Sequence, residues 1–181
     1  MKIFTVCLFT MGLLFGACKE EEKKPVDASA ITLRSEGKKL ELPYTLTRIP
    51  DWEIGDDKNI PIAMNLLKCY EAKDFVSIND YLADSIQFSS AMMNYKGSKK
   101  EFVKYLKGLR DQRLNVEIEM NDYETVKSKN RNEEWVSLWY TEVVTDRTGK
   151  VDSAQVMDDY KIVGGKVALV DSKVRIMSIK Q

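Results

Sequence analysis

The sequence predicts an α+β domain whose helices come first along the chain and pack on one face of an antiparallel sheet. Apolar residues recur with a helical period over residues 59–113 and with a period of two over residues 116–179. Turn-forming residues at 130–132, 146–149 and 164–165 divide the second part into four strand-like segments. Helices that precede a series of hairpin-connected strands are typical of this fold class.

The first two helices are predicted at 59–72 and 74–82. Asn59 is a suitable N-cap for the first helix, and Pro61 fits its first turn because the missing N–H has no partner there. Asp74 is expected to cap the second, shorter helix. Apolar residues in both segments follow the helical period, so each helix should bury one face.

A short strand at 85–89 separates these two helices from the third. Ser98 and Glu101 have the spacing of a capping box, in which each side chain satisfies a backbone N–H of the other residue. The third helix is therefore expected to begin after Ser98 and to end near Arg113, a length of about four turns.

The four strands of the second part are predicted to be long and antiparallel. Asp146–Gly149 and Gly164–Gly165 are expected to be hairpin turns, because glycine adopts the positive φ that tight hairpins require. The four strands cover the ranges 116–126, 135–145, 153–163 and 166–179.

The composition excludes several classes of function. The 181 residues include 28 basic and 28 acidic side chains, so the net charge is zero, and no nucleic-acid partner is expected without a basic stripe. There is no histidine, which excludes histidine-dependent catalytic triads and histidine-ligated zinc. No cysteine cluster or calcium-loop spacing is present either, so we predict no metal and no cofactor.

The N-terminus has the features of a signal peptide, which we assign to residues 1–17. A basic start is followed by the apolar run Ile3–Phe15, which is too short to span a bilayer. Gly16 and Ala17 are the small residues that a signal peptidase needs, and Cys18 follows directly. Residues 14–18 resemble a bacterial lipoprotein lipobox of the looser Bacteroidota type, although Phe15 departs from the usual residue. The resemblance implies that Cys18 carries the lipid and that the protein binds a membrane through it.

Residues 18–30 follow as the lipidated cysteine and a charged tether. The run Lys19–Lys24 is a solvated segment by composition. It also resembles the export signal of Bacteroidota surface lipoproteins. That likeness implies an outer-membrane anchor at the cell surface, with the periplasmic leaflet as the alternative. Residues 31–57 contain too many apolar side chains for a free tether, so we expect an arm that packs on a domain formed by residues 58–181.

Several segments of the domain match one known superfamily in their order and spacing. The matching segments are 70–88, 97–99, 135–139, 148–150 and 158–167. Together they resemble the nuclear transport factor 2-like superfamily, and within it the SnoaL-like polyketide cyclases, over about residues 58–180. The resemblance implies a cone of three helices inside a strongly curved antiparallel sheet of four to six strands, with a pocket at its open end. It also implies a homodimer through the sheet face.

Asp158 is the first candidate site residue. Val156, Asp158 and Tyr160 share one face of their strand by the period of two, and this face is otherwise apolar or aromatic. A carboxyl group on an apolar face is costly unless it is paired or protonated, and burial raises its pKa. In the superfamily this strand often presents an acid into the pocket, so the resemblance implies that Asp158 and Tyr160 line it.

Three aromatic residues are further candidates for the pocket. A tryptophan on a strand is usually a core or interface residue. The resemblance implies that Trp139 lines the pocket, with Phe88 and Tyr95 near its mouth.

These observations favour a cell-envelope lipoprotein whose cone is a non-catalytic module for a small ligand or an interaction partner. One alternative is an enzyme of the cyclase, isomerase or hydrolase type, with Asp158 as general acid–base and only tyrosines to assist it. The other alternative is a structural subunit of an envelope complex that uses the sheet face.

Overall fold

The structure is a computed structural model that describes residues 42–48 and 51–177. The chain divides into two units, residues 1–50 and residues 51–181. In the first unit, residues 42–48 form bends without a helix or strand. The predicted signal peptide, the lipid attachment site, the charged tether and residues 31–41 and 49–50 of the arm lie outside the described residues. Within the described part, no helix combines the length and the apolar composition needed to cross a membrane.

The second unit is built on one mixed sheet of seven strands. Its order is β1-β4-β5-β6-β7-β2-β3, and every neighbouring pair is antiparallel except β7 and β2, which are parallel. The strands are β1 Trp52–Ile54, β2 Leu82–Ser90, β3 Asn94–Ser98, β4 Arg113–Ser128, β5 Glu133–Asp146, β6 Val151–Val163 and β7 Lys166–Met177. The α+β class, the four long antiparallel strands and the hairpin at Gly164–Gly165, where both φ angles are positive, are confirmed.

The helices differ from the prediction of three. Residues 51–177 contain two α-helices, α1 at Ile60–Glu71 and α2 at Lys99–Asp111, while Ser77–Asp80 forms only one turn of 3-10 helix. Oδ1 of Asp74 accepts hydrogen bonds from the backbone N–H groups of Val76 and Ser77, as predicted for a cap. The turn ends at Asp80, however, and β2 begins at Leu82. A single turn already buries Ile78 completely, so the helical spacing of the apolar residues here did not require a longer helix.

The sheet has seven strands rather than the predicted four to six. The additional strands, β1 and β3, are short and lie at the two edges of the sheet. β3 is Asn94-Tyr95-Lys96-Gly97-Ser98, a sequence poor in residues that favour strands, so its local propensity does not reveal it. β1 has three residues and comes from the predicted arm, of which residues 51–57 are part of the sheet unit.

The sheet curves around the helices because its long strands contain irregularities in register. β4 shifts register against β5 at two places, and β7 shifts against both β6 and β2. Such bulges bend a strand and increase its twist. The concave face produced in this way covers α1 and α2, and the hydrophobic core lies between this face and the two helices.

The core consists of one cluster of buried apolar residues. α1 contributes Ala63, Leu66 and Leu67, α2 contributes Phe102, and the sheet contributes mainly the inward residues of β5, β6 and β7. Arg110 is also buried, at 3% exposure, and donates hydrogen bonds to the backbone carbonyls of Glu71 and Arg113. These bonds tie the end of α2 to the end of α1 and to the start of β4.

Candidate functional site

A cavity of about 190 Å³ lies between the two α-helices and the concave face of the sheet. Its depth follows from the exposure of its lining, since Ile78 is fully buried whereas Val174 is 55% exposed. The cavity therefore extends from the core to the surface. Most of its wall is apolar and is formed by Leu66, Leu67, Ile78, Phe88, Phe102, Leu106, Leu109, Val156, Val170 and Val174.

Asp158 provides the buried polar group of this cavity. Its side chain lies among core residues of β5, β6 and β7, and the residue is only 6% exposed. The hydroxyl groups of Tyr140 and Tyr160 both donate to Oδ2, at 2.8 and 2.9 Å. Oδ1 is buried and has no hydrogen-bond partner. One carboxyl oxygen is therefore held by the protein, and the other is left without a partner.

Burial dominates the electrostatics of this group. It raises the pKa of Asp158, while the two tyrosine hydroxyls that donate to Oδ2 favour the charged form and lower it. Burial, with the nearby Asp158 carboxyl, also raises the pKa values of Tyr140 and Tyr160 well above their ordinary value. Both tyrosines thus keep their protons and remain donors to Oδ2. When Asp158 is neutral, its own proton belongs on Oδ1, because Oδ2 already receives two.

A second polar cluster lines the cavity near its opening. Nη1 of Arg113 donates to the Tyr70 hydroxyl at 3.0 Å and to Oε1 of Glu142 at 2.8 Å. Glu142 lies opposite Ala154 on β6, four residues from Asp158 along that strand. Four residues of extended chain span about 13 Å, so the two polar clusters lie at different positions along the cavity.

The structure brings together three of the five residues named as pocket candidates. Asp158, Tyr160 and Phe88 line the cavity. Tyr95 does not: its ring stacks on Phe102 with centroids 5.6 Å apart, and its hydroxyl donates to the carbonyl of Ser98. It therefore supports the cavity wall from behind.

Trp139 lies on the opposite face of the sheet. Its neighbours on β5, Leu138 and Tyr140, face the helices and are buried, so the period of two turns Trp139 outward. There it lines a separate groove of about 480 Å³ together with Met157, Lys173 and Arg175. The expectation that Trp139 lines the pocket is corrected by this placement.

Five polar residues of the cavity were not named as site residues from the sequence: Tyr70, Arg113, Tyr140, Glu142 and Ser172. Tyr140 and Glu142 share the face of Val136 and Leu138 on β5, and Ser172 shares that of Val170 and Val174 on β7. Strand parity could therefore have placed all three inside. Tyr70 lies on the apolar face of α1, whereas Arg113 carries no local signal of this kind. Arg113 reaches the cavity through the pairing of β4 with β5 and through the bond that Arg110 donates to its backbone carbonyl.

Comparison with solved structures places this architecture among known folds. The chain superimposes on a LEH-like epoxide hydrolase of M. tuberculosis with a TM-score of 0.55 and 13% identity, covering 65% of this chain and 83% of that one. AusH from Aspergillus nidulans gives a TM-score of 0.53 and 17% identity, over 68% and 87% of the two chains. An NTF2-like protein of unknown function from Exiguobacterium sp. 255-15 gives 0.51 and 11%, over 65% and 98%.

The chain has the nuclear transport factor 2-like fold. No protein-family model matches the sequence, and no curated protein matches it. At these identities the likeness concerns the fold alone. Within the nuclear transport factor 2-like fold of this chain, the cavity with Asp158 lies on the concave side of the sheet and the groove with Trp139 on the convex side.

Proposed function

We propose that the cavity beside Asp158 binds a small, mostly apolar molecule that carries one polar group. The proposal depends on one observation: Oδ1 of Asp158 is buried and unpartnered in the lining of a cavity whose walls are apolar. A buried polar atom without a partner costs about 1–3 kcal/mol. A ligand that hydrogen-bonds to Oδ1 would remove this cost, which gives the site a preference for one polar group.

The size of the cavity restricts the ligand. An apolar cavity of about 150 Å³ is known to bind benzene, and this one measures about 190 Å³. The ligand is therefore about the size of one six-membered ring with a short substituent. Its ring would contact Phe88, Phe102 and the leucines of the helices, and its polar group would lie beside Asp158.

The test uses benzyl alcohol as the probe and a variant that fills the cavity. Val156 lines the cavity and is 6% exposed, whereas Val163 on the same strand is 54% exposed. Ligand at ten times its Kd should raise the free energy of unfolding of the wild type by about 1.4 kcal/mol. Val156→Phe should abolish this increase, and Val163→Phe should retain it. An equal increase in both variants, or none in the wild type, would show that the cavity does not bind the probe.

A second candidate function is acid–base catalysis on the bound molecule. The raised pKa of Asp158 and the position of its proton on Oδ1 suit a general acid. Because one of the solved structures with this fold is an epoxide hydrolase, styrene oxide is a suitable substrate to try. Hydrolysis to the diol that falls about 100-fold or more in Asp158→Asn would support catalysis. Binding of benzyl alcohol without turnover of styrene oxide would leave the non-catalytic module as the better description.

The proposed place of action is the outer membrane, through a lipid on Cys18. The sequence Gly16-Ala17-Cys18 after the apolar run supports this proposal. In a Bacteroidota host, Cys18→Ser should move the protein from the membrane fraction to the soluble fraction, while Cys69→Ser should not. Unchanged fractionation of Cys18→Ser would reject the anchor. Digestion by external protease in intact cells would distinguish surface display from the periplasmic leaflet.

The convex sheet face supports the further proposal of a homodimer. Its centre is formed by Trp139 and Met157, which line the outer groove. Acidic residues of β4 lie on one side of this centre, and charged residues of both signs on β6 and β7 lie on the other. The acidic residues of β4 are Glu117, Glu119, Asp122 and Glu124. On β6 and β7, Lys173 pairs with Asp159 and Asp171, Lys161 pairs with Glu133, and Arg175 bonds to the neutral Gln155.

A two-fold axis near Trp139 and parallel to the strands would place β4 of each copy opposite β6 and β7 of the other, with Arg175 facing the acidic strand. Sedimentation of the wild type as a dimer, with Trp139→Glu as a monomer, would support this arrangement. Val76→Glu is the matched control, since Val76 is 84% exposed and lies outside the sheet. A wild type that sediments as a monomer at all concentrations would exclude it.

A further inference from the structure

The polar atoms around Asp158 offer hydrogen-bond acceptors to a ligand. Tyr140 and Tyr160 each have one hydroxyl proton, and both protons are used in bonds to Oδ2. The two hydroxyl oxygens therefore present only lone pairs, as does Oδ1 when the carboxyl group is ionised. Ser172 is the one other hydroxyl that the cavity lining places next to Asp158, and it can donate or accept.

The charged side chains that line the cavity also favour a hydrogen-bond donor, because they sum to a net negative charge when Asp158 is ionised. Arg113 and Glu142 form an ion pair at 2.8 Å and neutralise each other. Asp158 has no cation within hydrogen-bond distance among the described residues, and its neighbour Asp159 points to the other face, where it pairs with Lys173. A buried carboxylate without a countercharge is costly, so a cation supplied by the ligand would be stabilised there.

We propose that the polar group of the ligand is a protonated primary amine, so that the ligand class is small aromatic or alicyclic amines; this rests on the proposed binding function. An ammonium group has three donors and no acceptor, which matches the acceptors Oδ1, Tyr140 Oη and Tyr160 Oη. It also supplies the missing positive charge. An alcohol offers one donor to these acceptors, and a ketone or aldehyde offers none.

The two phenylalanine rings of the cavity lining also favour a bound cation. The rings of Phe88 and Phe102 lie with centroids 5.8 Å apart and both line the cavity. Ring faces attract a nearby cation by about 0.5–2 kcal/mol, more when water is excluded. The same rings contact the apolar body of the ligand, so both parts of an arylalkylamine find suitable partners.

The experiment compares three probes of nearly equal size: benzylamine, benzyl alcohol and benzaldehyde. Their dissociation constants are measured by titration calorimetry with the full chain at neutral pH. Benzylamine should bind at least 10-fold more tightly than benzyl alcohol, and benzaldehyde should bind most weakly. Asp158→Asn should remove the advantage of benzylamine and change the affinity for benzyl alcohol less than 3-fold.

Two further variants keep the result interpretable if Asp158→Asn does not fold. Tyr140→Phe removes one acceptor and should reduce the ratio of the benzylamine to the benzyl alcohol affinity about 3-fold or more. Asp159→Asn removes the adjacent carboxyl group on the opposite face and should preserve that ratio. Loss of the ratio in Asp159→Asn but not in Tyr140→Phe would assign any amine binding to the outer face and overturn the proposal.

The outcomes separate this inference from the proposed function. If benzyl alcohol or benzaldehyde binds as tightly as benzylamine, the amine assignment is wrong and the small-molecule site stands. If none of the three probes binds, the proposed function itself fails.

Discussion

Replacing Asp158 with asparagine should change how the stability of the protein depends on pH. The substitution keeps the shape of the side chain and removes its titration. Burial raises the pKa of Asp158 in the folded state above the ordinary value of 3.8. In the unfolded chain the carboxyl group titrates near that ordinary value. Over the interval between the two pKa values, the folded state therefore binds the proton more strongly than the unfolded state does.

The sign and size of the effect follow from proton linkage. Well below pH 3.8 the group is protonated in both states and contributes no slope. Between 3.8 and the folded pKa, the wild type loses stability as pH rises, by at most about 1.4 kcal/mol per pH unit for one proton. Above the folded pKa the loss stops. Asp158→Asn lacks this loss, so its stability relative to the wild type should increase as pH rises through the interval.

The assay is urea unfolding of the wild type and Asp158→Asn at several pH values between 3.5 and 8, about half a unit apart, with both proteins in the same buffers. Tyr160→Phe removes a hydrogen bond that lowers the pKa of Asp158. This variant should therefore extend the sloping interval to higher pH. Parallel pH profiles for the wild type and Asp158→Asn would refute the reasoning, because they would mean that the pKa of Asp158 is the same in both states.

Three further predictions concern the scaffold. Phe102 is 2% exposed and packs against Phe88 and Tyr95, so Phe102→Ala should lower the free energy of unfolding by about 3–5 kcal/mol, measured by urea unfolding with Lys100→Ala as the exposed control. The Ser98 hydroxyl accepts from the N–H of residue 101 at the start of α2, so Ser98→Ala should cost about 0.5–2 kcal/mol while Ser98→Thr should cost less, and equal losses would contradict a capping role. Gly164 has a φ of +57° in the β6–β7 hairpin, so Gly164→Val should lower the melting temperature more than Gly164→Asn does, because asparagine tolerates this conformation.

The sequence predicted the parts of the fold that depend on local periodicity. The two α-helices, the four long strands and the glycine hairpin follow from spacing and turn residues in single segments. The inward position of Asp158 followed in the same way, because parity along one strand is a local property. The resemblance to the nuclear transport factor 2-like superfamily also rested on the order of these segments, and the fold agrees with it.

The prediction failed where a segment takes its structure from distant partners. β3 has a sequence of low strand propensity and forms by pairing with β2. The segment at 77–80 stops after one turn because it already buries Ile78 and the chain must enter the sheet. The resemblance predicted that Trp139 lines the pocket. It lies on the convex face instead, because side chains alternate along β5 and its neighbours Leu138 and Tyr140 face the helices.

The sequence by itself determined the fold class, the buried carboxyl group and the absence of histidine chemistry, since each is a matter of composition or of a repeat along one segment. Only the tertiary structure decided which groups meet that carboxyl group. Tyr140 and Ser172 reach the cavity through strand register, and Arg113 is held there by the ends of both helices. These contacts join residues far apart in the chain, and a hydrogen bond left unmade at Oδ1 is a property of the packed core that no local pattern encodes.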